Sequence, residues 1–478
     1  MSGSRVRRIG ATAFAGVTAG VLLVTAGAVT TAISASASNT TSAGCSTSLK
    51  SAPTRMGHIG GIAHAARTSA SNCSGTIGRD PAPNAGSPPL IFHGGTVMAT
   101  KSSADKNVIT PIFWTPSGFP MDATYKSVLN KYLADAAADS EKSTNVFSTL
   151  MEYSGTNGFV NYSMKRGAPI VDTTAFPAHG CVVDAGPVYS DNSGYTTCLD
   201  DAQLQTEINS VVTAHSFKRD LGHMYVIFLP KHVESCFNAS TTTNSIQGCT
   251  INLSPSAGYC AYHGFFNSGG NTVYANMPFP IYASPDGFTC GSDAAFPTNE
   301  SPNGNTDADV ETSPTSHEIS EAMTDWDVNT GWYDSSGYEN GDECAYTYGA
   351  TAGAAGALYN QTINGHHYLT QEEFSNNNFN LGQGGCLQTY IPAAKPAITK
   401  MSSHAGTTAG GAKVTITGTT LAGADSVKFG TTSATFTIVD PTHIKVTTPA
   451  HTAGLVDVTV HNSLGTSTLT AADHYTYS

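Results

Sequence analysis

The sequence predicts an α+β domain with α/β-like layers, followed by an all-β sandwich. Three observations predict this order. In the first part of the chain, apolar runs that favour strands alternate with segments whose apolar residues recur at helical spacing. A Pro-rich boundary follows at residues 392–396. Beyond it, short runs of β-forming residues are separated by Gly-rich turns, a pattern typical of a sandwich.

The first segment has the pattern of an export signal. Three arginines within positions 5–8 precede the apolar or small stretch Ile9 to Val29, and Ala35-Ser36-Ala37 forms a small-residue cleavage site. We expect residues 1–37 to be a signal peptide, with a membrane anchor as the alternative. Residues 38–92, rich in Ser, Thr, Ala, Gly and Pro, are expected to be a low-complexity pro-segment or linker. The sequence therefore predicts a secreted, extracellular protein without stable membrane insertion.

Residues 93–391 are expected to form the α+β domain. Apolar runs predict strands, helical spacing predicts helices, and a capping box from Asp200 to Gln203 marks the start of the second helix. The predicted elements are strands at Thr96–Thr100, Val108–Trp114 and Met224–Leu229, and helices at residues 123–138 and from Asp201.

Ten cysteines in an exported chain indicate a disulfide framework. Because the cysteines fall in neighbouring couples, we expect sequential pairing, although spacing alone does not fix connectivity. The candidate pairs are Cys45 with Cys73, Cys181 with Cys198, Cys236 with Cys249, Cys260 with Cys290, and Cys344 with Cys386.

The last segment, residues 395–478, carries six short β runs. Its motifs include Gly410-Gly411 before Val414-Thr-Ile-Thr-Gly418, Val427-Lys-Phe-Gly430, Val446-Thr-Thr-Pro449 and Val456-Asp-Val-Thr-Val460. With these motifs it resembles the IPT/TIG family of immunoglobulin-like domains. The resemblance implies an immunoglobulin-like sandwich that serves as a spacer or binding module and has no catalytic role.

The charge of the chain is concentrated in one region. The 478 residues carry a formal net charge of −13, and no basic block lies beyond the N-terminus, which excludes a typical nucleic-acid binder. Between Lys231 and Lys395 there are 17 carboxylates and no Lys or Arg. Either these carboxylates are solvated, or a bound cation lies among them, since hard cations take oxygen ligands.

Within this acidic region, residues 312–325 contain an HExxE motif. Ser313 is expected to cap a helix that has Pro314 in its first turn and ends near residue 324. On such a helix His317 and Glu321 project from one face and can ligate one ion, while Glu318 is the candidate catalytic base. The motif resembles the HExxH helix of zinc peptidases, with Glu321 in place of the second His. That resemblance implies a zincin-like domain.

A third ligand is expected from the segment Glu339-Asn-Gly-Asp342, since a catalytic zinc keeps three protein ligands and one open position. Glu339 is preferred, and Asp342 is a further ligand or a carboxylate that orients His317. The expected cofactor is one divalent metal, zinc by preference, with calcium or manganese as alternatives. A secreted metallopeptidase or related hydrolase acting on an extracellular polymer or protein is thus predicted. The alternative interpretation is an ordinary surface helix with two solvated glutamates, which would have the same HExxE sequence.

The order of motifs in the central domain resembles the EXORDIUM, or phosphate-induced, family of secreted proteins. The resemblance rests on Ile109-Thr-Pro-Ile-Phe-Trp114, Tyr225-Val-Ile-Phe-Leu-Pro-Lys-His-Val233, Cys260-Ala-Tyr-His-Gly264 and Asn303-Gly-Asn-Thr-Asp-Ala-Asp309. It implies an extracellular or cell-wall-associated protein without an established enzymatic activity. The alternative function is therefore non-catalytic, with a structural metal or an adhesion role.

Overall fold

A seven-stranded mixed sheet is the centre of the first domain in the computed structural model of the chain. The predicted signal peptide and most of the predicted linker lie outside the residues that the structure describes. Those residues are 59–60, 65–66, 90–98, 106–183, 186, 188–189, 191–237, 249–250, 259–280, 288–290, 301–335, 337–345 and 347–478.

Parallel strands make up most of this sheet, and two antiparallel pairs extend it. Strand β1 pairs in parallel with β2 and β3 on one side and with β4 on the other. β6 continues the sheet in parallel to β4, β5 is antiparallel to β6, and the seventh strand, Ile59–Gly60, is antiparallel to β5. The strands are β1 (Asn107–Trp114), β2 (Met164–Arg166), β3 (Ile170–Asp172), β4 (His223–Phe228), β5 (Tyr262–Asn267) and β6 (Asn271–Met277).

A proline explains why one neighbour of β1 is split into two strands. Proline has no N–H to donate to a ladder. β2 pairs with β1 as far as Ile109, and β3 begins opposite Ile112, so that Pro111 falls at the break. Gly167 occupies the gap, where its N–H donates to the Ile109 carbonyl at 2.7 Å. A Cβ at Gly167 would lie 2.2 Å from Thr110 Oγ1, so the close approach requires glycine.

Helices cover both faces of the sheet. In β4, Met224 and Val226 belong to the apolar core that includes α1 and α3, whereas Tyr225 and Ile227 belong to the core that includes α2. Because alternate residues of β4 face the two cores, the sheet lies between two layers of helices. The strand is therefore apolar on both faces, which accounts for its continuous apolar sequence. The helices are α1 (Ala123–Ala138), α2 (Asp201–Ala214), α3 (Thr306–Thr324) and the short α4 (Asn376–Asn380). The domain is therefore a mixed α/β domain.

Both predicted helices of the first part of the chain form. The capping box of α2 is present, with the Gln203 N–H donating to Asp200 Oδ1 at 2.9 Å. The strand expected at Thr96–Thr100 is wrong over its described part, residues 96–98. There the Asn157 side chain satisfies both polar groups of the Val97 backbone, and the Met98 N–H donates to the carbonyl of Met323. A side chain and a helix end thus replace the ladder of a strand.

Short pairings and four disulfides hold the loops against this frame. Sequential disulfide pairing is confirmed for Cys181–Cys198, Cys236–Cys249, Cys260–Cys290 and Cys344–Cys386. The short strands are Ile59–Gly60, Ala65–Ala66, Ile91–Phe92, Ser154–Gly155, Gly158–Phe159, Thr197–Asp200, Val233–Cys236, Phe288–Thr289, Trp332–Tyr333, Gln361–Ile363, His366–Tyr368, Glu373–Phe374 and Cys386–Leu387. Four disulfides are consistent with an extracellular protein.

The fifth expected disulfide falls in the predicted linker. Cys45 and Cys73 both lie outside the residues that the structure describes. The pairing of Cys45 with Cys73 therefore stays a prediction.

The C-terminal region is a sandwich-like, all-β unit. Its main strands follow the order β7-β8-β11-β10-β9-β12-β13. Burial alternates along them, as in β8, where Val414, Ile416 and Gly418 are buried. The strands are β7 (Ala397–Met401), β8 (Lys413–Thr419), β9 (Ala424–Phe429), β10 (Thr432–Asp440), β11 (His443–Thr447), β12 (Gly454–Asn462) and β13 (His474–Tyr477). Across the described residues of the chain, the helices are too short or too polar to cross a membrane.

Candidate metal centre

Helix α3 carries the HExxE motif and is buried from Ala308 to Thr324. It begins seven residues or more before the predicted start, because Asn305 is its N-cap and accepts from the Ala308 N–H at 3.0 Å. Ser313 is therefore not the cap. Its hydroxyl instead accepts the backbone N–H of Gln371 at 2.9 Å. Pro314 lies inside the helix and, because it has no N–H, leaves the Val310 carbonyl without its usual helical hydrogen bond.

One turn of α3 brings two candidate ligands together. His317 Nε2 lies 2.9 Å from Glu321 Oε1 and 3.7 Å from Asp342 Oδ1. Ligand atoms of these three residues all lie within 4.8 Å of one another. The backbone N–H of Asp342 also donates to Glu321 Oε1 at 3.1 Å, which fixes the segment after α3 against the helix. The three side chains thus form a compact group of one imidazole and two carboxylates.

This group has the character of a ligand set rather than of a satisfied ion pair. Both ring nitrogens of His317 and Glu321 Oε2 have no well-aligned hydrogen-bond partner among the described residues, although both side chains are fully buried. Buried polar groups without partners are costly, and a cation would satisfy them. The imidazole is held from behind by Gly341, where a Cβ would lie 2.6 Å from Nδ1. The residues therefore fit a small divalent ion.

A second histidine, which the sequence did not single out as a ligand, lies at the same centre. His263 on β5 is fully buried, and its Nδ1 lies 3.2 Å from Glu318 Oε2 and 3.5 Å from Glu321 Oε2. Its Nε2 lies 2.9 Å from the carbonyl oxygen of Asp325. Its neighbours in sequence, Tyr262 and Gly264, carry no ligand signal. Only the packing of β5 beside α3 in the folded chain shows that His263 lies at this centre.

The two acidic residues expected after the helix take different places. Asp342 joins the group of His317 and Glu321. The carboxylate of Glu339 instead approaches His263, with Oε2 3.9 Å from Nε2. Their segment is held from behind, because the Gln371 side chain donates to the Gly341 carbonyl at 2.8 Å. The preferred third partner for His317 and Glu321 in this geometry is therefore Asp342.

The carboxylates strongly perturb proton binding at this centre. Burial disfavours the His317 cation, but the Glu321 carboxylate outweighs it and raises the pKa of His317 well above 6.5. Burial raises the pKa of Glu321, yet the His317 charge and His263 lower that pKa to about 2 overall. Burial and the Glu321 charge raise the pKa of Asp342 well above 3.8. Without a cation, protons therefore occupy the groups that a metal would need.

Glu373 adds a further carboxylate that the motif did not predict. It is fully buried on the short strand paired with Cys386–Leu387, and burial raises its pKa well above 4.5. The Cys344–Cys386 disulfide and the bond from the Phe374 N–H to the Asn340 carbonyl tie this strand to the Glu339–Asp342 segment. Glu373 therefore lies close enough to His317 and Glu321 for their charges to influence its pKa.

Comparison with known proteins identifies the C-terminal region. Residues 396–477 match the sequence model of the IPT/TIG domain, so the chain ends in an IPT/TIG domain. The expected resemblance of this region is confirmed. No curated protein matches the chain.

Solved structures match a fraction of the chain. The full extracellular region of Plexin A4 is 19% identical, over 23% of this chain and 10% of that chain, with a TM-score of 0.17. SGBP-B from a xyloglucan utilization locus in Bacteroides uniformis is 20% identical, over 22% of this chain and 26% of that one, with a TM-score of 0.15. Gamma-CGTase from alkalophilic Bacillus clarkii is 19% identical, over 23% and 16%, with a TM-score of 0.16. This chain thus covers about a quarter or less of each of these proteins.

Proposed function

We propose that this protein is a secreted metal-dependent hydrolase, of peptidase type, whose metal is held by His317, Glu321 and Asp342. The observation that carries the proposal is the convergence of these three side chains, with ligand atoms within 4.8 Å of one another. The buried nitrogens of His317, which have no well-aligned hydrogen-bond partner among the described residues, support it, because Nε2 lies against carboxylate oxygens that a cation would share with it. Three protein ligands are the number that a catalytic zinc site uses.

The chemistry of such a site divides between the ion and the chain. A bound divalent ion supplies Lewis acidity and brings the pKa of water toward neutrality. Glu318 is the general base, since it follows His317 directly on α3 and its carboxylate lies at this centre, with Oε2 3.2 Å from His263 Nδ1. Zinc is the preferred ion, while a set with more carboxylates than imidazoles is harder than usual, so calcium and manganese are alternatives.

A second candidate function is a non-catalytic extracellular protein of EXORDIUM type with a structural cation. The observation that favours it is burial. His317, Glu318 and Glu321 are fully buried, and a substrate needs access to the base and the ligands. The IPT/TIG domain fits either candidate, since it would act as a spacer or attachment module in both.

The experiment compares wild-type protein with Glu318→Gln, both secreted and folded, by elemental analysis and by assays on casein and on cell-wall polymers. Glu141→Gln, a change outside the cluster, is the matched control. We expect one or more equivalents of zinc in all three proteins, with hydrolysis lost only in Glu318→Gln. Metal-free wild-type protein, or hydrolysis unchanged in Glu318→Gln, would contradict the proposal. Stoichiometric metal without hydrolysis of either substrate would favour the second candidate.

A further inference from the structure

Two groups of ligand atoms meet at Glu321, and each uses a different oxygen of that carboxylate. Oε1 faces His317 Nε2 at 2.9 Å, in the group completed by Asp342. Oε2 faces His263 Nδ1 at 3.5 Å, and Glu318 Oε2 completes the second group at 3.2 Å from the same nitrogen. Ligands about 2.1 Å from a tetrahedral ion are about 3.4 Å apart, so the spacing in both groups suits a bound cation.

The tautomer of His263 aims a ring nitrogen at the two carboxylates. The Asp325 carbonyl has no proton, so the 2.9 Å contact with His263 Nε2 requires Nε2 to be the donor. In the neutral ring, Nδ1 then presents its lone pair to Glu318 Oε2 and Glu321 Oε2. Three acceptors cannot face each other this closely unless a proton or a cation lies among them, and a cation there would bind all three atoms. A ring nitrogen fixed by an N–H···O=C bond on its other side is the usual arrangement of a metal-ligating histidine.

When fully ionised, the carboxylates of the cluster carry more negative charge than one divalent ion compensates. Four carboxylates are fully or almost fully buried here, and Asp342 adds a fifth. Among the described residues, the basic side chains in contact with them are the two imidazoles. Two imidazolium groups or one divalent ion would each supply two positive charges, whereas two divalent ions supply four. The four are Glu318, Glu321, Glu339 and Glu373.

We propose that the centre binds two divalent cations bridged by Glu321, the second held by His263 Nδ1, Glu318 Oε2 and Glu321 Oε2. This inference rests on the metal site proposed above. The fully buried Oε2 of Glu321, which has no well-aligned hydrogen-bond partner among the described residues, is the atom that the first group leaves unused. Glu318 turns Oε2 to the second ion, so that its role as base falls to Oε1. Sites in which two metal ions lie side by side recur in hydrolases.

The test counts metal ions in the intact protein. Four proteins are freed of metal, reloaded with Zn²⁺ and weighed by native mass spectrometry. They are wild-type protein, His263→Asn, His317→Asn and the control His223→Asn. His223 lies on β4 and pairs with the exposed Asp220, away from the cluster. We expect two ions in wild-type protein and in His223→Asn, and one ion in each of the other two variants. Circular dichroism verifies the fold of every variant.

A second measurement does not depend on any variant. Wild-type protein loaded with Mn²⁺ should give the spectrum of an exchange-coupled pair in electron paramagnetic resonance. One ion in wild-type protein, unchanged by His263→Asn and accompanied by an uncoupled Mn²⁺ spectrum, would overturn the second position and leave the proposed function standing. Zero bound ions in wild-type protein would overturn both.

Discussion

Replacing Gly341 by alanine tests the position of the His317 imidazole without removing any ligand atom. A Cβ at this position would lie 2.6 Å from Nδ1, 2.8 Å from Cγ and 2.9 Å from Cε1 of His317. Gly341 has φ −72° and ψ −43°, values that alanine adopts without strain. The substitution therefore acts on the imidazole ring and not on the backbone of its own segment.

The size of the effect follows from the overlap. Ordinary contact begins at 3.4 Å, so the ring must retreat about 0.8 Å, the difference between 3.4 Å and 2.6 Å. Metal–ligand distances tolerate about 0.2 Å, and changes behind a ligand typically cost about 10–100-fold in affinity. We expect Gly341→Ala to weaken zinc binding by about 10–100-fold, which corresponds to about 1.4–2.8 kcal/mol.

The assay is competition with a chromophoric zinc chelator at fixed pH, alongside thermal unfolding of the metal-free protein. Gly186→Ala is the matched control, because Gly186 is exposed and a Cβ there meets no atom within 4 Å. The control should bind zinc like wild-type protein. Unchanged zinc affinity in a folded Gly341→Ala protein would refute the reasoning, since His317 could then not be both a ligand and the neighbour of this glycine.

Three further predictions concern pH and stability. Because the raised pKa values of His317 and Asp342 mean that a metal must displace protons, zinc retained after dialysis should fall as the pH falls. Burial raises the pKa of Glu152 to about 7, so the folded state holds its proton between about pH 4.5 and 7 and loses stability as the pH rises through that window. Glu152→Gln should remove up to about 3 kcal/mol of this loss in urea unfolding at pH 5 and pH 8, and an identical pH dependence in both proteins would contradict it. Asp200→Ala removes the cap of α2 and should cost about 1 kcal/mol in the same assay, whereas an unchanged midpoint would mean that the cap contributes nothing.

Several features were predictable because they depend on neighbours in sequence. The apolar spacing of α1 and the capping box of α2 are local, and both helices form as expected. The turn-bounded β runs of residues 395–478 likewise contain the pattern of their own sandwich, which matches the IPT/TIG domain. Among the described residues, cysteines that follow one another in the sequence form the disulfides, as expected.

Other expectations failed where distant contacts decide. The start of α3 was placed too late, because Ser313 looks like a cap in sequence but bonds to Gln371, 58 residues away. The strand expected at Thr96–Thr100 was wrong over residues 96–98, because Asn157 and the end of α3 take its backbone groups. Local preference yields to tertiary hydrogen bonds at both places.

By itself the sequence determined where the acidic residues are concentrated and which helix could hold a cation. The region around the HExxE motif contains 17 carboxylates and no Lys or Arg. Only the tertiary structure decided which side chains meet there. His263 precedes Glu318 by 55 residues, and Asp342 follows Glu321 by 21. No periodicity spans such separations. The packing of β5 and of the disulfide-tied Glu339–Asp342 segment against α3 places these groups together, because buried charges are stable only where partners surround them.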